Sequence, residues 1–444
     1  MAISITAFVI ILALSFIGIP LAFATLAVGF FGFWIVRGDL SGALILSGQE
    51  IFDFSTLFGL SVVPLFILMG TMIQRANISD ELFEAGNAWV GKYRGGLAMA
   101  TVLSCAGFSA VSGSSLATAA TMARVAMPPM RRFKYEDSLA AGTLAAGGTL
   151  GILIPPSVPM IIYGIVTETN IGSMFIAGII PGILLTSAYL AAVYFRVLRK
   201  PELGPPGEPS TRAEKMRTLA KTWPILVLFL LVLGGIYLGV FTPTEAGAVG
   251  CVGAFAFALS RGKMWNIREI VEVAADAVVV TARIFLIGGA ALIFGQFLNF
   301  AGLSGALVEF TDSFNLGPWS LPLMVCVICV FLGMIFESIG ILLLIVPVFL
   351  PSLEAVAGAS GLPPDLYLVW FGIVVIIVVE LGLITPPIGI NVFTVKSVIP
   401  SIDLNKIFIG VIPFVIADLV VLALIFLIPG IAIFLPSVMP SLNF

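Results

Sequence analysis

The stretch Gly151-Ile-Leu-Ile-Pro-Pro-Ser-Val-Pro159 places three prolines inside an apolar segment of helical length. A second copy, Gly382-Leu-Ile-Thr-Pro-Pro-Ile-Gly-Ile-Asn391, follows far downstream. Proline lacks a backbone donor and clashes with the preceding helical turn, so each segment is predicted to be two half-helices joined by an unwound linker. The predicted breaks are the two proline pairs, Pro155 with Pro156 and Pro386 with Pro387.

Composition assigns the class of protein before any motif is needed. Hydrophobic residues make up 60% of the 444 residues, charged residues only 10%, and the net charge is −3. Because the apolar runs are far longer than the ~10-residue strands of a membrane barrel, the chain is predicted to be an all-α membrane protein in a lipid bilayer. No nucleic-acid partner is expected. The first apolar run follows no basic segment, so we expect it to be retained as a span.

The cysteines and the missing histidines limit the chemistry that this chain can perform. All four cysteines lie in apolar runs, and Cys326-x-x-Cys329 has neither a second pair nor a histidine to complete a zinc site. Buried packing of free thiols is therefore the preferred interpretation. An enzyme is disfavoured, because the sequence has no histidine, no phosphate-binding loop and no carboxylate pair beside a nucleophile.

Residues 1–200 form the first of two predicted repeats. Its first segments are helices over 3–16 and 21–36 hinged at Pro20, a polar stretch over 37–55, a span over 56–73 and an amphipathic interface helix over 77–94. A small-residue segment over about 97–127, a broken helix over about 138–166 and a span over 171–198 complete this half. A basic, proline-rich linker over 201–222 follows and is predicted to join the halves.

The small-residue segment has two interpretations. Its serines and glycines gather at Ser112-Gly113-Ser114-Ser115. A continuous span with small-residue helix packing is one possibility. A re-entrant hairpin with this tetrapeptide at its tip is preferred, because the small residues cluster at the midpoint instead of recurring at helical spacing.

Residues 223–444 replay the first half. Pro243 follows Pro20 by 223 residues, Pro351 follows Pro128 by 223, and Pro386 follows Pro155 by 231. A second hairpin is therefore predicted over about 319–350 and a second broken helix over about 366–397. Landmarks in one order at nearly constant spacing indicate two homologous halves, each with about five transmembrane helices and one hairpin.

Charge placement predicts that the two halves are inverted. If the basic linker is cytoplasmic, an odd number of spans reverses the second half, and nearly all the lysines and arginines then lie in cytoplasmic loops. Both termini would lie outside the cytoplasm. The first hairpin would enter from the cytoplasm and the second from the opposite side.

Candidate ligands lie at the predicted breaks and tips. Half-helix ends present amides to anions and carbonyls to cations, and hard oxygen ligands suit a sodium ion. The sodium candidates are Ser112, Ser114, Ser115, Thr118, Ser338 and Thr385. The substrate candidates are Ser157, Glu337, Asn391 and Arg283.

Three charged residues carry a functional hypothesis because an ionisable side chain in an apolar segment costs several kcal/mol unless it is paired, hydrated or protonated. Glu337 lies at the second hairpin tip, and its role as cation ligand, proton carrier or part of the anion site is open. Arg283 has the same standing, with Asp276 as an equally good structural partner. Glu380, before the second break, ranks second among the acids.

The sequence resembles the large membrane subunit of tripartite ATP-independent periplasmic (TRAP) transporters essentially end to end. The residues that carry the resemblance are both proline-pair motifs, Ile161-Ile-Tyr-Gly164, the Ser-Gly-Ser-Ser tip, Phe241-Thr-Pro-Thr-Glu-Ala-Gly247 and Asn391. The resemblance implies scaffold and elevator-like transport domains, with no cofactor beyond a sodium ion that drives uptake of a small organic acid. It also implies a bacterial inner-membrane location and two separate partners, a small four-helix membrane subunit and a periplasmic substrate-binding protein.

Two rival functions remain open. The first is a stand-alone sodium/carboxylate symporter of related two-hairpin architecture, which needs no binding protein. The second is a membrane-embedded enzyme or proton-channel subunit. A channel needs a continuous polar stripe, and the polar residues here are confined to the breaks.

Overall fold

The computed structural model describes residues 2–439, and this part of the chain contains 21 α-helices, two short 3-10 helices and no strand. The helices before the linker are α1 (Ala2–Phe16), α2 (Leu21–Arg37), α3 (Leu40–Thr56), α4 (Val62–Arg75), α5 (Ile78–Val90), α6 (Gly96–Ser112), α7 (Ser115–Arg132), α8 (Asp137–Leu153), α9 (Val158–Val166) and α10 (Ile171–Arg199). The linker contains α11 (Arg212–Lys221).

The helices after the linker continue the same architecture. They are α12 (Trp223–Tyr237), α13 (Pro243–Ser260), α14 (Ile267–Phe300), α15 (Leu303–Ser313), α16 (Ser320–Gly333), α17 (Ser338–Ala357), α18 (Pro364–Ile384), α19 (Ile390–Val398), α20 (Leu404–Leu427) and α21 (Gly430–Ser437). Six of the described helices are long and apolar enough to cross a membrane, or up to eight if each of two bent pairs is one span. The ten spans expected from the sequence also include short helices such as α1 and α2, of 15 and 17 residues.

The hinges between paired helices lie at the prolines that the sequence indicated. Pro20 precedes α2, and Pro243 is the first residue of α13, where its missing N–H has no intrahelical partner to lose. Thr242 and Glu245 form a capping box at the same helix start. The polar stretch 37–55, in contrast, is mostly helix α3, which begins where the Asp39 carboxylate accepts a hydrogen bond from the Ser41 amide at 3.0 Å.

The serine-rich segment doubles back instead of crossing. Gly113, with φ +59°, separates α6 from α7. The Tyr135 hydroxyl, just beyond α7, accepts a hydrogen bond from the Leu97 amide at the start of α6 at 3.0 Å. Helices α6 and α7 therefore form a helical hairpin whose two ends meet, and its re-entry into a bilayer stays a prediction.

The second serine-containing segment also doubles back. Helices α16 and α17 are separated by residues 334–337. A surface cavity of about 380 Å³ is lined both by Leu316 to Pro318, before α16, and by Ala355, Val356 and Ala359, at the end of α17. The Tyr367 hydroxyl donates to the Pro318 carbonyl at 2.8 Å, which ties the hairpin base to the start of α18.

Both proline pairs interrupt helices. Helices α8 and α9 meet at a bend of 42° across a break of four residues, 154–157. Helices α18 and α19 are separated by five residues, 385–389, with Gly389 in the left-handed region at φ +62°. Removal of backbone donors by the prolines explains both interruptions.

The two halves interlock. Half-helix α9 packs against α17, the second arm of the other half's hairpin, and α19 packs against α7. Helix α8 packs on α20, and α18 packs on α10. Likewise, α2 packs on α14 and α4 packs on α13. Each of these contacts thus has a counterpart in which the two halves exchange roles.

Ion pairs join segments of the two halves. The pairs are Arg261 with Glu81 at 2.7 Å, Arg75 with Glu272 at 2.9 Å, Lys221 with Glu84 at 3.1 Å and Lys406 with Asp137 at 3.2 Å. Exposed pairs contribute at most about 1 kcal/mol each. Each pair joins two segments that were predicted to lie on the cytoplasmic side, and that topology stays a prediction.

The cysteines agree with their interpretation as packing residues. All four are free and buried. Within residues 2–439, no group of three or more cysteine, aspartate and glutamate side chains has the arrangement of a metal site.

Candidate functional site

The first hairpin tip is bonded to the first helix break. The Val158 amide, at the start of α9, donates to the Gly113 carbonyl at 3.5 Å. Contact is so close that a Cβ on Gly113 would lie 3.0 Å from the Pro156 carbonyl oxygen, and one on Gly151 would lie 2.5 Å from that of Ser114. The absence of side chains at Gly113 and Gly151 is therefore what lets tip and break touch.

Four of the sodium candidates form one hydroxyl cluster at this tip. Ser112 Oγ lies 2.8 Å from Thr118 Oγ1, and Thr118 Oγ1 donates to the Ser114 carbonyl at 2.8 Å. Ser114 caps α7, with its side chain accepting from the Ala117 amide at 3.4 Å. The Ser115 side chain is buried and makes no hydrogen bond within the described chain. Uncharged oxygens at this density are chemically suited to a sodium ion.

Ser157 lies in the first helix break, and its hydroxyl points back toward helix α8. Its hydroxyl donates to the Ile152 carbonyl at 2.5 Å, and the residue is buried. Ile152 belongs to the last turn of α8, whose carbonyls have lost their helical partners. The observed contact satisfies a carbonyl at the end of the broken helix, and the assignment of Ser157 to substrate stays a prediction.

The second tip and the second break repeat this contact. The Gly389 amide donates to the Met334 carbonyl at 3.3 Å. A Cβ on Gly382 would lie 2.5 Å from the Gly333 Cα. The Thr385 hydroxyl donates to the Leu381 carbonyl at 2.5 Å, and Ser338 is buried in the first turn of α17. Both remaining sodium candidates therefore lie at the second tip and break.

Asn391 connects the second break to the first half. Its side-chain amide nitrogen donates to the Ala145 carbonyl of α8 at 3.3 Å. Its Oδ1 atom is buried and has no hydrogen-bond partner within residues 2–439. An orphaned buried carbonyl oxygen is an acceptor that a cation or a donor group of a ligand can satisfy.

Glu337 and Arg283 approach each other. Glu337 precedes the first turn of α17 at the second tip, and the positive charge of Arg283 on α14 acts on its carboxyl group. Arg283 is exposed. Asp276 forms no ion pair in the described chain, so it is not the partner of Arg283.

Sequence reasoning missed a buried polar cluster deeper in the same region. Asp418 on α20 and Tyr189 on α10 are both completely buried, and the Tyr189 hydroxyl contacts Asp418 Oδ1 at 2.6 Å. Thr149 on α8 lies 2.9 Å from the same hydroxyl. The signal was present, because Asp418 is a lone carboxyl inside an apolar run of helical length.

The chain matches one family over nearly its whole length. The profile described as "Tripartite ATP-independent periplasmic transporter, DctM component" covers residues 8–431. A C4-dicarboxylate TRAP transporter large permease protein from Pseudomonas aeruginosa is 34% identical over 87% of this chain and 88% of that protein. A sialic acid TRAP transporter large permease protein from Vibrio cholerae is 32% identical over 96% of both chains.

Two further similarities extend the range of relatives and the fold. An ectoine/5-hydroxyectoine TRAP transporter large permease protein from Ruegeria pomeroyi is 32% identical over 97% of this chain and 98% of that protein. The crystal structure of the Alcanivorax borkumensis YdaH transporter superposes with a TM-score of 0.58 over 87% of this chain and 88% of that chain, at 16% identity. At that identity the superposition concerns the fold alone.

Proposed function

Because the chain belongs to the family of DctM components of tripartite ATP-independent periplasmic transporters, we propose that it is a permease subunit that couples sodium entry to uptake of a small organic acid. It is a multi-pass protein of the bacterial inner membrane and not an enzyme. Transport is the activity that its relatives share by name.

One observation carries the proposal: each hairpin tip is hydrogen-bonded to the helix break of its own half. The Val158 amide bonds to Gly113, and the Gly389 amide bonds to Met334. Irregular backbone at membrane depth is tolerated only where protein or a water-filled cavity covers it. A tip and a break held together offer the unpaired carbonyls and hydroxyls that bind sodium, and the helix N-termini that bind a carboxylate.

The sodium ligands in this proposal are the hydroxyls and neighbouring carbonyls at both tips. Ser112, Ser115 and Thr118 serve the first site, and Ser338 and Thr385 serve the second. The carboxylate meets the N-terminal ends of the half-helices, and the nearby Asn391 Oδ1 atom, which has no partner in the described chain, accepts from a donor group of the substrate. Arg283 and Glu337 contribute opposite charges beside the second tip, since Glu337 directly precedes α17.

The paired contacts between halves support two inverted repeats. Helix α9 with α17 is the counterpart of α19 with α7, and α2 with α14 is the counterpart of α13 with α4. We propose that α2, α4, α13 and α14 belong to a scaffold, and that the hairpins and broken helices form a transport domain that moves against it. Residues 1–200 and 223–444 are then the two repeats, joined by the linker 201–222.

Two partners complete the transporter in this proposal. A small membrane subunit and a periplasmic binding protein follow from the tripartite family. The isethionate TRAP transporter permease protein DctMQ of Oleidesulfovibrio alaskensis is matched by this chain over 58% of its length, which leaves room in that protein for a second membrane component. The relatives' names support a small carboxylate as substrate, since they include C4-dicarboxylates and sialic acid.

The test is uptake by proteoliposomes that contain this chain and the small membrane subunit encoded with it. C4-dicarboxylate, sialic acid and ectoine are offered separately, each with the binding protein encoded with the complex. We expect uptake of one of them to require an inward sodium gradient, with choline replacing sodium as the control. Equal uptake in choline would overturn the coupling.

The same vesicles separate the proposal from its rival. Omission of the binding protein or of the small subunit is expected to abolish uptake. Full uptake by this chain alone would instead identify a stand-alone symporter of the same architecture.

A further inference from the structure

Two carboxyl groups lie completely inside the helical core. Glu380 belongs to α18 and Asp418 to α20, and both residues have 0% exposed surface. Asp418 acts electrostatically on Glu380, and both carboxyl groups act on a shared neighbour, Tyr189 of α10. Residues 367–384 of helix α18 are all buried. The pair is therefore remote from both lipid and water.

No cation compensates these two groups. None of the six ion pairs in the described chain includes Glu380 or Asp418. The Arg196 guanidinium, seven residues after Tyr189 on α10, donates to the Gly410 carbonyl at 2.9 Å and to the Ser138 hydroxyl at 2.6 Å.

The lysines on packed helices are also occupied. Lys406 pairs with Asp137, and Lys396 donates to two backbone carbonyls. The titratable side chains on the helices packed against α18 and α20, and on those two helices themselves, are Asp137, Tyr163, Tyr189, Tyr194, Arg196, Arg199, Cys326, Cys329, Glu354, Asp365, Tyr367, Lys396 and Lys406. Of these, only Tyr189 acts on the pair.

The number of protons available along the hydrogen-bonded chain indicates whether Asp418 is ionised or neutral. Three short oxygen contacts run in series: Asp418 Oδ1 to Tyr189 at 2.6 Å, Tyr189 to Thr149 at 2.9 Å, and Thr149 to the Ala146 carbonyl at 2.7 Å. Tyr189 and Thr149 supply one proton each, and a carbonyl supplies none. An ionised Asp418 would leave one of the three contacts without a proton, whereas a neutral Asp418 satisfies all three.

The surroundings of Glu380 also favour a neutral carboxyl group. Its neighbours are the backbone of Leu153 and the Asp418 carboxyl, and neither of its oxygens makes a hydrogen bond of normal geometry within residues 2–439. An isolated ionised carboxylate buried in this way costs several kcal/mol. Two such groups that interact cannot both ionise without a counter-ion.

We propose that Glu380 and Asp418 form a proton-binding site in the core, in which Asp418 is neutral and donates through Tyr189 and Thr149 to the Ala146 carbonyl. A proton fits better than a sodium ion, because the 2.6 Å contact between Asp418 and Tyr189 leaves no room for an ion between them. This site is independent of the sodium and substrate sites proposed above.

Infrared spectroscopy of the purified full-length chain at neutral pH tests the site directly. Labelling the aspartate side-chain carboxyls with ¹³C leaves the protein unsubstituted, and Asp418 is the only completely buried aspartate among the described residues. We expect a protonated-carboxyl stretching band that shifts with this label and with exchange into D₂O. Absence of an aspartate-derived protonated band would overturn the proposal.

Substitutions then assign the band. Asp418→Asn is expected to remove it, and Tyr189→Phe to shift its frequency, because the acceptor of the carboxyl proton is lost. Glu354→Gln, at an exposed position on α17, is the matched control and is expected to leave the band unchanged. A band that survives Asp418→Asn in the folded protein would contradict the assignment.

Sodium distinguishes a proton site from a cation site. At constant pH, replacement of choline by sodium is expected to leave the band unaltered. Loss of the band on sodium addition would show that the carboxyls bind the metal ion and would overturn the proposal, whatever the outcome of the uptake experiment.

Discussion

The two proline breaks are alike in sequence but not in surroundings. At the first, Pro155, Pro156 and Ser157 are all buried. At the second, Pro386 and Pro387 are exposed, and Thr385 is half-buried. At the first break the Ser157 hydroxyl donates to the Ile152 carbonyl, whereas at the second the Thr385 hydroxyl donates to the Leu381 carbonyl and Asn391 donates to Ala145 of the first half.

The interruption of a helix and the exposure of that interruption therefore have separate causes. Proline interrupts both helices through covalent chemistry that acts within one turn. Burial depends on which distant elements pack over the break. In this conformation the second break is the one that a ligand from outside the core can reach, and the first is closed.

The largest effect is expected from the glycines that let each tip touch its break. Gly151→Ala would place a Cβ 2.5 Å from the Ser114 carbonyl oxygen, and Gly382→Ala would place one 2.5 Å from the Gly333 Cα. Because backbone atoms cannot move aside cheaply, each substitution is expected to reduce the free energy of unfolding by roughly 1–3 kcal/mol. Thermal unfolding in detergent measures it.

The matched control for these glycines is Gly295→Ala on α14, where nothing lies within 4 Å of the added Cβ. This control is expected to be neutral or slightly stabilising, since alanine favours helix over glycine. If Gly382→Ala changed the free energy of unfolding no more than the control, the two tip contacts would not be equivalent.

A second difference is expected between the hydroxyls at the two breaks. Ser157→Ala leaves the buried Ile152 carbonyl without its partner, which is expected to cost about 1–3 kcal/mol of stability. Thr385→Ala removes a back-bond at a half-buried site, with an expected change below about 1 kcal/mol. Unfolding of the two variants in detergent measures both losses of stability. Equal losses would contradict the predicted difference.

Sodium dependence is the third prediction. Ser115→Ala and Thr385→Ala are expected to raise the sodium concentration for half-maximal uptake more than they lower protein abundance, because each removes a hard oxygen ligand. Thr394→Ala is the control, since Thr394 makes the same kind of back-bond, to the Ile390 carbonyl at 2.9 Å, away from the break. Loss of abundance in proportion to uptake would indicate a purely structural role.

The smallest effect on stability is expected at Glu337. Glu337 precedes α17 as Ser114 precedes α7, but it makes no side-chain cap bond, whereas Ser114 does. Glu337→Gln is therefore expected to leave thermal unfolding unchanged and to lower uptake, because the charge facing Arg283 is lost. Glu309→Gln, on the exposed face of α15, controls for a simple change of net charge. Unchanged uptake would remove Glu337 from the site.

Hinges and interruptions of the chain were predictable because their causes are local. Pro20, Pro243 and both proline pairs act on neighbouring turns, and the gathering of glycine and serine at 112–115 indicated the first hairpin. Helix α3 was not predicted, because its polar residues obscured the pattern of an amphipathic helix. The sequence also does not show that the Ser157 hydroxyl donates to the Ile152 carbonyl, and the assignment of this residue to substrate stays a prediction.

The buried cluster shows where sequence reasoning stops. Glu380 could be ranked as an acid near a break, but its relation to Asp418, Tyr189 and Thr149 joins four helices that are distant in the chain. The all-helical membrane class, the order of the apolar segments and the places where helices break follow from the sequence alone, because composition and proline chemistry act locally. Only the tertiary structure decides which break is buried, which tip covers it and which carboxyls meet, because these depend on packing between segments hundreds of residues apart.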